Sequence, residues 1–163
     1  MEQTEKKNRG LEQASAQMDS IADMVSRLNH CMECSDSECD LEDKEIYAGL
    51  QEWYKEGDKA TEEQREKYHD EDEARQRIQE DALSVEVRQD WHAPGSGDEG
   101  PTDYTILLCT GGPACRIIGD LNRGEPETAR MEYQDWFTPW ETYHDADEET
   151  LLTYAREFYY GED

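Results

Sequence analysis

The fold is decided by residues 104–119, which read YTILLCTGGPACRIIG. Residues 104–110 are β-branched and apolar, and residues 115–121 alternate between apolar and other side chains, so both are predicted strands. Gly111-Gly112-Pro113 lies between them and is typical of a hairpin turn. Because this connection has no room for a crossover helix, the two strands are expected to pair antiparallel.

Two more strands and a helix complete the predicted C-terminal domain, residues 84–163. Residues 84–91 and 129–136 alternate with the period of a strand. Residues 147–160 are amphipathic and begin with an acidic turn, which predicts a helix lying on one face of the sheet. We therefore expect an α+β fold, in which a helical N-terminal segment precedes a four-stranded antiparallel sheet covered by a C-terminal helix.

Residues 1–83 are predicted to be an acidic helical region of two or three helices. Asp40 is expected to cap a helix near 41–56. Thr61 and Gln64 form a capping-box pattern for a helix that runs to about residue 83, with an interruption around 69–70.

The first helix carries a narrow apolar stripe with the 3-4 spacing of a heptad repeat. Its members are Leu11, Ala14, Met18, Ile21, Val25 and Leu28. Such a stripe is typical both of packing within one chain and of a homodimer seam, and the sequence leaves the two alternatives open.

The charge excludes several classes of function. The 163 residues include 42 Asp+Glu and 16 Lys+Arg, a net charge of −26, and each predicted domain carries −13. This charge argues against direct binding to nucleic acid or to an anionic membrane surface. The sequence begins without an apolar signal region and contains no apolar run of membrane-spanning length, so we expect a cytoplasmic protein, in a host cell if phage-encoded.

The same acidity suggests imitation of a nucleic acid. Carboxylates four residues apart on a helix lie roughly 5–6 Å apart, which is close to the phosphate spacing along a strand. Acids steer association with a basic partner, and exposed aromatic side chains anchor it. A generic solvated acidic surface is the alternative. The candidate partner-binding residues are Asp36, Glu38, Asp40, Glu42, Asp43, Glu45, Glu62, Glu66, Asp70, Glu132, Asp135, Trp136, Trp140 and Glu141.

The five cysteines are expected to be thiols or metal ligands rather than disulfides. Cys31 and Cys34 have the C-x2-C spacing of zinc sites. Cys39, together with His30, which directly precedes Cys31, could complete a tetrahedral set of ligands. We interpret the cysteines as free thiols at a helix end and expect no cofactor, and zinc bound by Cys31, Cys34 and Cys39 is the alternative.

An enzymatic function is not indicated. A catalytic cysteine needs a nearby histidine, and no sequence pattern ties Cys109 or Cys115 to His92 or His144. The carboxylates are too numerous for any pair of them to indicate acid–base catalysis.

Three segments carry a resemblance to known proteins: residues 83–88, residues 106–114, and Glu132–Trp136 followed by Thr138-Pro139-Trp140. Over about residues 81–161 the chain resembles a family of small uncharacterised proteins of phages and mobile elements. In size and charge it is similar to DNA-mimic antirestriction and anti-CRISPR proteins.

This similarity implies a non-enzymatic inhibitor of a host defence system. Its partner would be a basic nucleic-acid-binding protein or a defence nuclease complex. The alternative function is a zinc-stabilised protein–protein adaptor that uses His30, Cys31, Cys34 and Cys39.

Overall fold

The computed structural model describes residues 8–34, 36, 38–96 and 100–161. The first seven residues, on which the expectation about a signal region rests, lie outside this set. Residues 19–81 form one compact unit, and the N-terminal residues up to 18 form a second unit together with residues 82–163.

The second unit contains an antiparallel sheet. Its strands are β1 (Ser84–Arg88), β2 (Asp103–Cys109), β3 (Ala114–Asn122), β4 (Glu125–Pro126), β5 (Arg130–Gln134) and β6 (Glu141–Thr142). The order is β1-β2-β3-β5-β6, and β4 pairs with β3. The predicted α+β class and antiparallel sheet are confirmed, but the strand number is larger than four. The short strands β4 and β6 were missed because two residues cannot show an alternating pattern.

The β2–β3 hairpin forms where residues 104–119 predict it. Ile106 lies opposite Ile117, and Cys109 lies opposite Cys115 across the turn. One side of the sheet is buried together with helix α5 (Glu148–Ala155), which packs against β5. The buried side chains of this sheet and helix include Tyr104, Ile106, Leu108, Cys115, Ile117, Leu121, Met131, Leu151, Tyr154 and Ala155.

Helix α5 begins as the sequence predicts and ends earlier. The carboxylate of Asp147 accepts a hydrogen bond from the amide of Thr150 and caps the first turn. The helix stops at Ala155 instead of continuing to residue 160. The buried Tyr160 then folds back, and its hydroxyl donates to the carbonyl oxygen of Ala155 at 2.6 Å.

Helix α1 (Arg9–Glu33) carries the apolar stripe. Leu11 is 43% exposed, and the other five members of the stripe are buried within the single chain. This burial supports packing within the chain, while self-association through the stripe stays a prediction. Among the described residues, none of the helices combines the length and the apolarity that crossing a membrane requires.

Helix α2 (Asp43–Gly49) is shorter than the sequence predicts and has a different cap. Glu42, and not Asp40, is its N-cap, in a capping box with Glu45. The chain leaves the helix at Leu50, and Gln51 adopts a left-handed backbone conformation with φ of 59°. Trp53 consequently lies outside the helix and is 88% exposed.

The predicted third helix is two helices, α3 (Glu62–Tyr68) and α4 (Glu71–Asp81). The capping box of Thr61 and Gln64 is present at the start of α3. The break falls at residues 69–70, where the interruption is expected. Asp70 accepts a hydrogen bond from the amide of Glu73 at 3.1 Å, and so caps the first turn of α4.

Candidate metal centre and acidic surfaces

The candidate site begins on one side of α1. Arg27, His30, Cys31 and Cys34 have i, i+3, i+4 and i+7 spacing, so their side chains project from the same side of the helix. Cys34 follows the last helical residue, and its amide still donates to the carbonyl oxygen of His30 at 2.8 Å. This side of the helix meets the junction between α3 and α4.

Arg27 holds that junction in place. Its side chain is 1% exposed and donates to the carbonyl oxygens of Lys67 and Tyr68, the latter at 3.0 Å. It also forms an ion pair with Glu73 of α4. Since carbonyl groups at a helix C-terminus lack partners within the helix, the guanidinium stabilises the end of α3 and attaches it to α1.

Four side chains from this region converge on one point. The ligand-type atoms of His30, Cys34, Cys39 and His69 all lie within 4.8 Å of one another. The Nε2 atoms of His30 and His69 are 3.0 Å apart, and Cys39 Sγ lies 3.5 Å from the first and 3.2 Å from the second. A tetrahedral zinc ion with bonds of about 2.0 Å to nitrogen and 2.3 Å to sulfur separates its ligand atoms by about 3.3–3.8 Å. The three separations among His30, His69 and Cys39 are near this range, and Cys34 lies within 4.8 Å of the other three, so small side-chain shifts would complete a tetrahedral site.

One imidazole is oriented for metal binding, and the other is favoured in its neutral form. His69 Nδ1 lies 2.7 Å from the carbonyl oxygen of Arg65. Because a carbonyl can only accept, Nδ1 carries the proton, and the lone pair of Nε2 points into the group. Burial and the neighbouring His69 lower the pKa of His30, which favours its neutral form.

The structure replaces one member of the ligand set expected from the sequence. Cys31 is buried, and its thiol donates to the carbonyl oxygen of Tyr68 at 2.9 Å instead of facing the other sulfur atoms. Burial also raises the pKa of this thiol. His69 completes the group in its place. Sequence reasoning missed His69 because it lies 30 residues from Cys39, and the interruption at 69–70 was the only local signal.

Two acidic stretches of the sequence meet beside this group. Glu38, Asp40 and Glu62 line one shallow concave surface next to Cys39, together with Arg65. All three carboxylates belong to exposed residues. We call this set of three acids the acidic concavity.

The other predicted acids of residues 19–81 divide into two groups. Several take part in local hydrogen bonds: Asp36 with the amide of Glu38, Glu42 and Glu45 in the α2 cap, Asp43 with Ala60 and Arg65, and Asp70 in the α4 cap. Glu66 is exposed on α3. Because α3 ends at Tyr68, Asp70 does not continue the helical row that Glu62 and Glu66 begin.

In the sheet unit, the carboxylate of Glu132 pairs with Arg116 of the neighbouring strand. It is 8% exposed and accepts two hydrogen bonds from Arg116 Nε and Nη2, at 2.9 and 2.8 Å. The same guanidinium stacks over the ring of Trp140 at 4.0 Å. Glu132 and Trp140 thus take part in contacts within the sheet surface, and their role as partner-binding residues stays a prediction.

The turn at residues 135–138 presents aromatic side chains to solvent. Asp135 accepts from the amide of Trp136, and the hydroxyl of Thr138 accepts from the amide of Asp135. Phe137 is held in a left-handed conformation with φ of 60° and is fully exposed. Trp136 and the nearby Glu141 are also exposed. An exposed aromatic pair on a turn held by hydrogen bonds suits a protein interface.

The hairpin thiols are poorly suited to catalysis. Burial raises the pKa of Cys109, and it raises the pKa of Cys115 to about 12. Since the thiolate is the nucleophile, both groups are held in their unreactive form at neutral pH.

Comparisons with known proteins found no relative of this chain. Protein-family models, curated proteins and solved structures all give no match to this chain.

Proposed function

We propose that this chain is a non-enzymatic inhibitor of a host defence system, of the anti-CRISPR or antirestriction type. It would occupy the basic groove in which a defence nuclease holds its nucleic acid. The observation that carries the proposal is the acidic concavity, in which Glu38 and Asp40 meet Glu62 from a different segment. Folding thus combines two separate acidic stretches into one anionic surface.

Charge supports this function in two ways. A net charge of −26 repels nucleic acid and attracts the Lys and Arg side chains that line a nuclease groove. The exposed carboxylates can pair with cations that otherwise hold phosphates. Such a complex forms quickly and weakens as salt screens the charges.

The test is displacement of DNA. Labelled duplex DNA is bound to purified Cas effector complexes and restriction endonucleases, and the chain is added while fluorescence anisotropy is recorded. We expect displacement from at least one nuclease at near-stoichiometric concentration, with an affinity that falls steeply between about 0.05 and 0.3 M salt. DNA mixed with the chain alone is the control and should show no change. Failure to displace DNA from any of these nucleases at large excess contradicts the proposal.

A second candidate function is a zinc-stabilised protein–protein adaptor. The group of His30, Cys34, Cys39 and His69 favours it, because closed sets of cysteine and histidine are typical of structural zinc sites. The exposed Trp136 and Phe137 would then offer an apolar anchor for a partner. Elemental analysis of purified protein tests the zinc, and an adaptor should bind its partner in high salt without displacing DNA.

A further inference from the structure

We infer that His30, Cys34, Cys39 and His69 bind one zinc ion as a Cys2His2 centre, and that the bound ion fixes the acidic segment 38–45. The metal site rests on its own geometry. Neither the site nor its effect on this segment depends on the proposed function.

The donor atoms select the ion. Two thiolates and two imidazoles suit zinc, whereas magnesium and calcium take oxygen ligands. Four protein ligands fill a tetrahedral shell and leave no position for water or substrate, which is the arrangement of a structural site. On binding, both thiols lose their protons to solvent, and the two thiolate charges balance the charge of the ion.

Helix packing holds one half of the site. His30 lies on α1, and His69 is oriented by its Nδ1–H bond to the carbonyl oxygen of Arg65. Arg27 fixes the carbonyl of the preceding residue, Tyr68. Hydrogen bonds of this kind orient metal ligands and are needed for full affinity.

The other half of the site consists of Cys34, which precedes the acidic segment, and Cys39, which lies within it. Cys34 follows α1, and its sulfur contacts the carbonyl oxygen of Asp36 at 3.8 Å. Cys39 lies between Glu38 and Asp40, two members of the acidic concavity. A metal ion that holds both sulfur atoms against the two imidazoles therefore ties this segment to α1 and to the α3–α4 junction. Without the ion, the hydrogen bonds of Cys39 to the two histidines are weak thiol contacts.

The first experiment measures metal uptake by the full-length chain after treatment with a chelator. We expect one equivalent of Co²⁺ to bind, with the visible and near-ultraviolet bands of a tetrahedral thiolate complex, and Zn²⁺ to displace it. Cys34→Ser, Cys39→Ser and His69→Gln should each weaken binding at least about tenfold. Cys31→Ser is the matched control and should bind one equivalent like the unaltered chain.

Three outcomes overturn the site. The first is absence of uptake, and the second is octahedral Co²⁺ spectra without thiolate bands. The third is loss of binding in Cys31→Ser with retention in His69→Gln. Because His69 lies in a packed junction, Cys34→Ser provides the same test at a residue beyond the helix end, and circular dichroism verifies the helices of each variant.

The second experiment measures amide hydrogen exchange with and without zinc. We expect exchange at residues 38–45 to slow at least about tenfold when zinc binds, while β2 and β3 stay unchanged. Equal exchange rates at 38–45 overturn the claim that the ion fixes the acidic segment. Failure of DNA displacement by a chain that binds zinc removes the proposed function and leaves the metal site standing.

Discussion

Arg27→Met is expected to be among the most destabilising single changes in residues 19–81. Methionine keeps the length of the buried side chain but removes its charge and its donors. The carbonyl oxygens of Lys67 and Tyr68 lose their hydrogen bonds from Arg27 and keep those from the Asp70 amide and the Cys31 thiol. Glu73 loses one of its two cations. Breaking a buried ion pair on one side costs about 3–5 kcal/mol. Because Glu73 is 27% exposed, water screens part of this cost. We therefore expect the free energy of unfolding to fall by about 3 kcal/mol.

Urea unfolding followed by circular dichroism measures this loss. With a slope of about 2 kcal/mol per molar, the midpoint should fall by about 1.5 M. Arg75→Met is the matched control, since Arg75 pairs with Glu71 on the half-exposed side of α4 and should cost at most about 1 kcal/mol. A urea midpoint for Arg27→Met within about 0.3 M of that for Arg75→Met would show that the buried ion pair contributes no more stability than the exposed one.

The ion pair of Arg27 and Glu73 makes this loss of stability depend on pH. Burial raises the pKa of Glu73, but hydrogen bonds from Arg77 and Arg27 and their charges outweigh it, so the pKa lies below the ordinary 4.5. A carboxylate with a lowered pKa contributes stability above its unfolded value and loses it as pH falls through the folded value. The difference in unfolding free energy between the unaltered chain and Arg27→Met should therefore be constant near neutral pH and shrink below about pH 4.

Two further substitutions and one labelling measurement test separate parts of the fold. Thr61→Ala removes the α3 cap and should cost about 1 kcal/mol in urea unfolding, and no measurable loss would contradict the cap. Arg116→Met removes both hydrogen bonds to Oε1 of the buried Glu132, leaves Arg130 as its cation at 3.6 Å, and uncovers Trp140. We therefore expect a loss of about 3 kcal/mol and altered tryptophan fluorescence. Cys115 is fully buried, and burial raises its pKa to about 12, so it should react with iodoacetamide at neutral pH only after unfolding. Rapid labelling of the folded chain would contradict the burial of this thiol.

The parts of the fold that local sequence determines could be predicted. The alternation on both sides of Gly111-Gly112-Pro113 predicts the β2–β3 hairpin, because the two strands and the turn between them are contiguous in the sequence. The capping box of Thr61 and Gln64 is equally local and marks the start of α3. By contrast, the early end of α2 follows from the left-handed conformation of Gln51, for which the residue type gives no signal.

The candidate site depends on contacts between distant segments, so the sequence predicts His30, Cys34 and Cys39 but not the fourth residue, His69. Cys34 and Cys39 are found from their spacing, whereas His69 joins them because Arg27 attaches the end of α3 to α1. Cys31 fits the zinc spacing but faces Tyr68, since its position on the helix is buried. The role of Glu132 likewise requires the pairing of Arg116 with Glu132 across β3 and β5.

We propose that the position of the acids, and not the total charge, determines how tightly the chain binds a nuclease. The direct measurement is the dissociation constant for a nuclease that the chain displaces from DNA. It compares the triple variant Glu38→Gln, Asp40→Asn and Glu62→Gln with a control triple variant that neutralises the exposed Glu86, Glu125 and Glu127 of the sheet unit. Each variant loses three negative charges. We predict at least about tenfold weaker binding for the first and less than about twofold for the second, since an interface charge is worth more than a distant one. Equal losses in both variants, or none in either, would contradict the account.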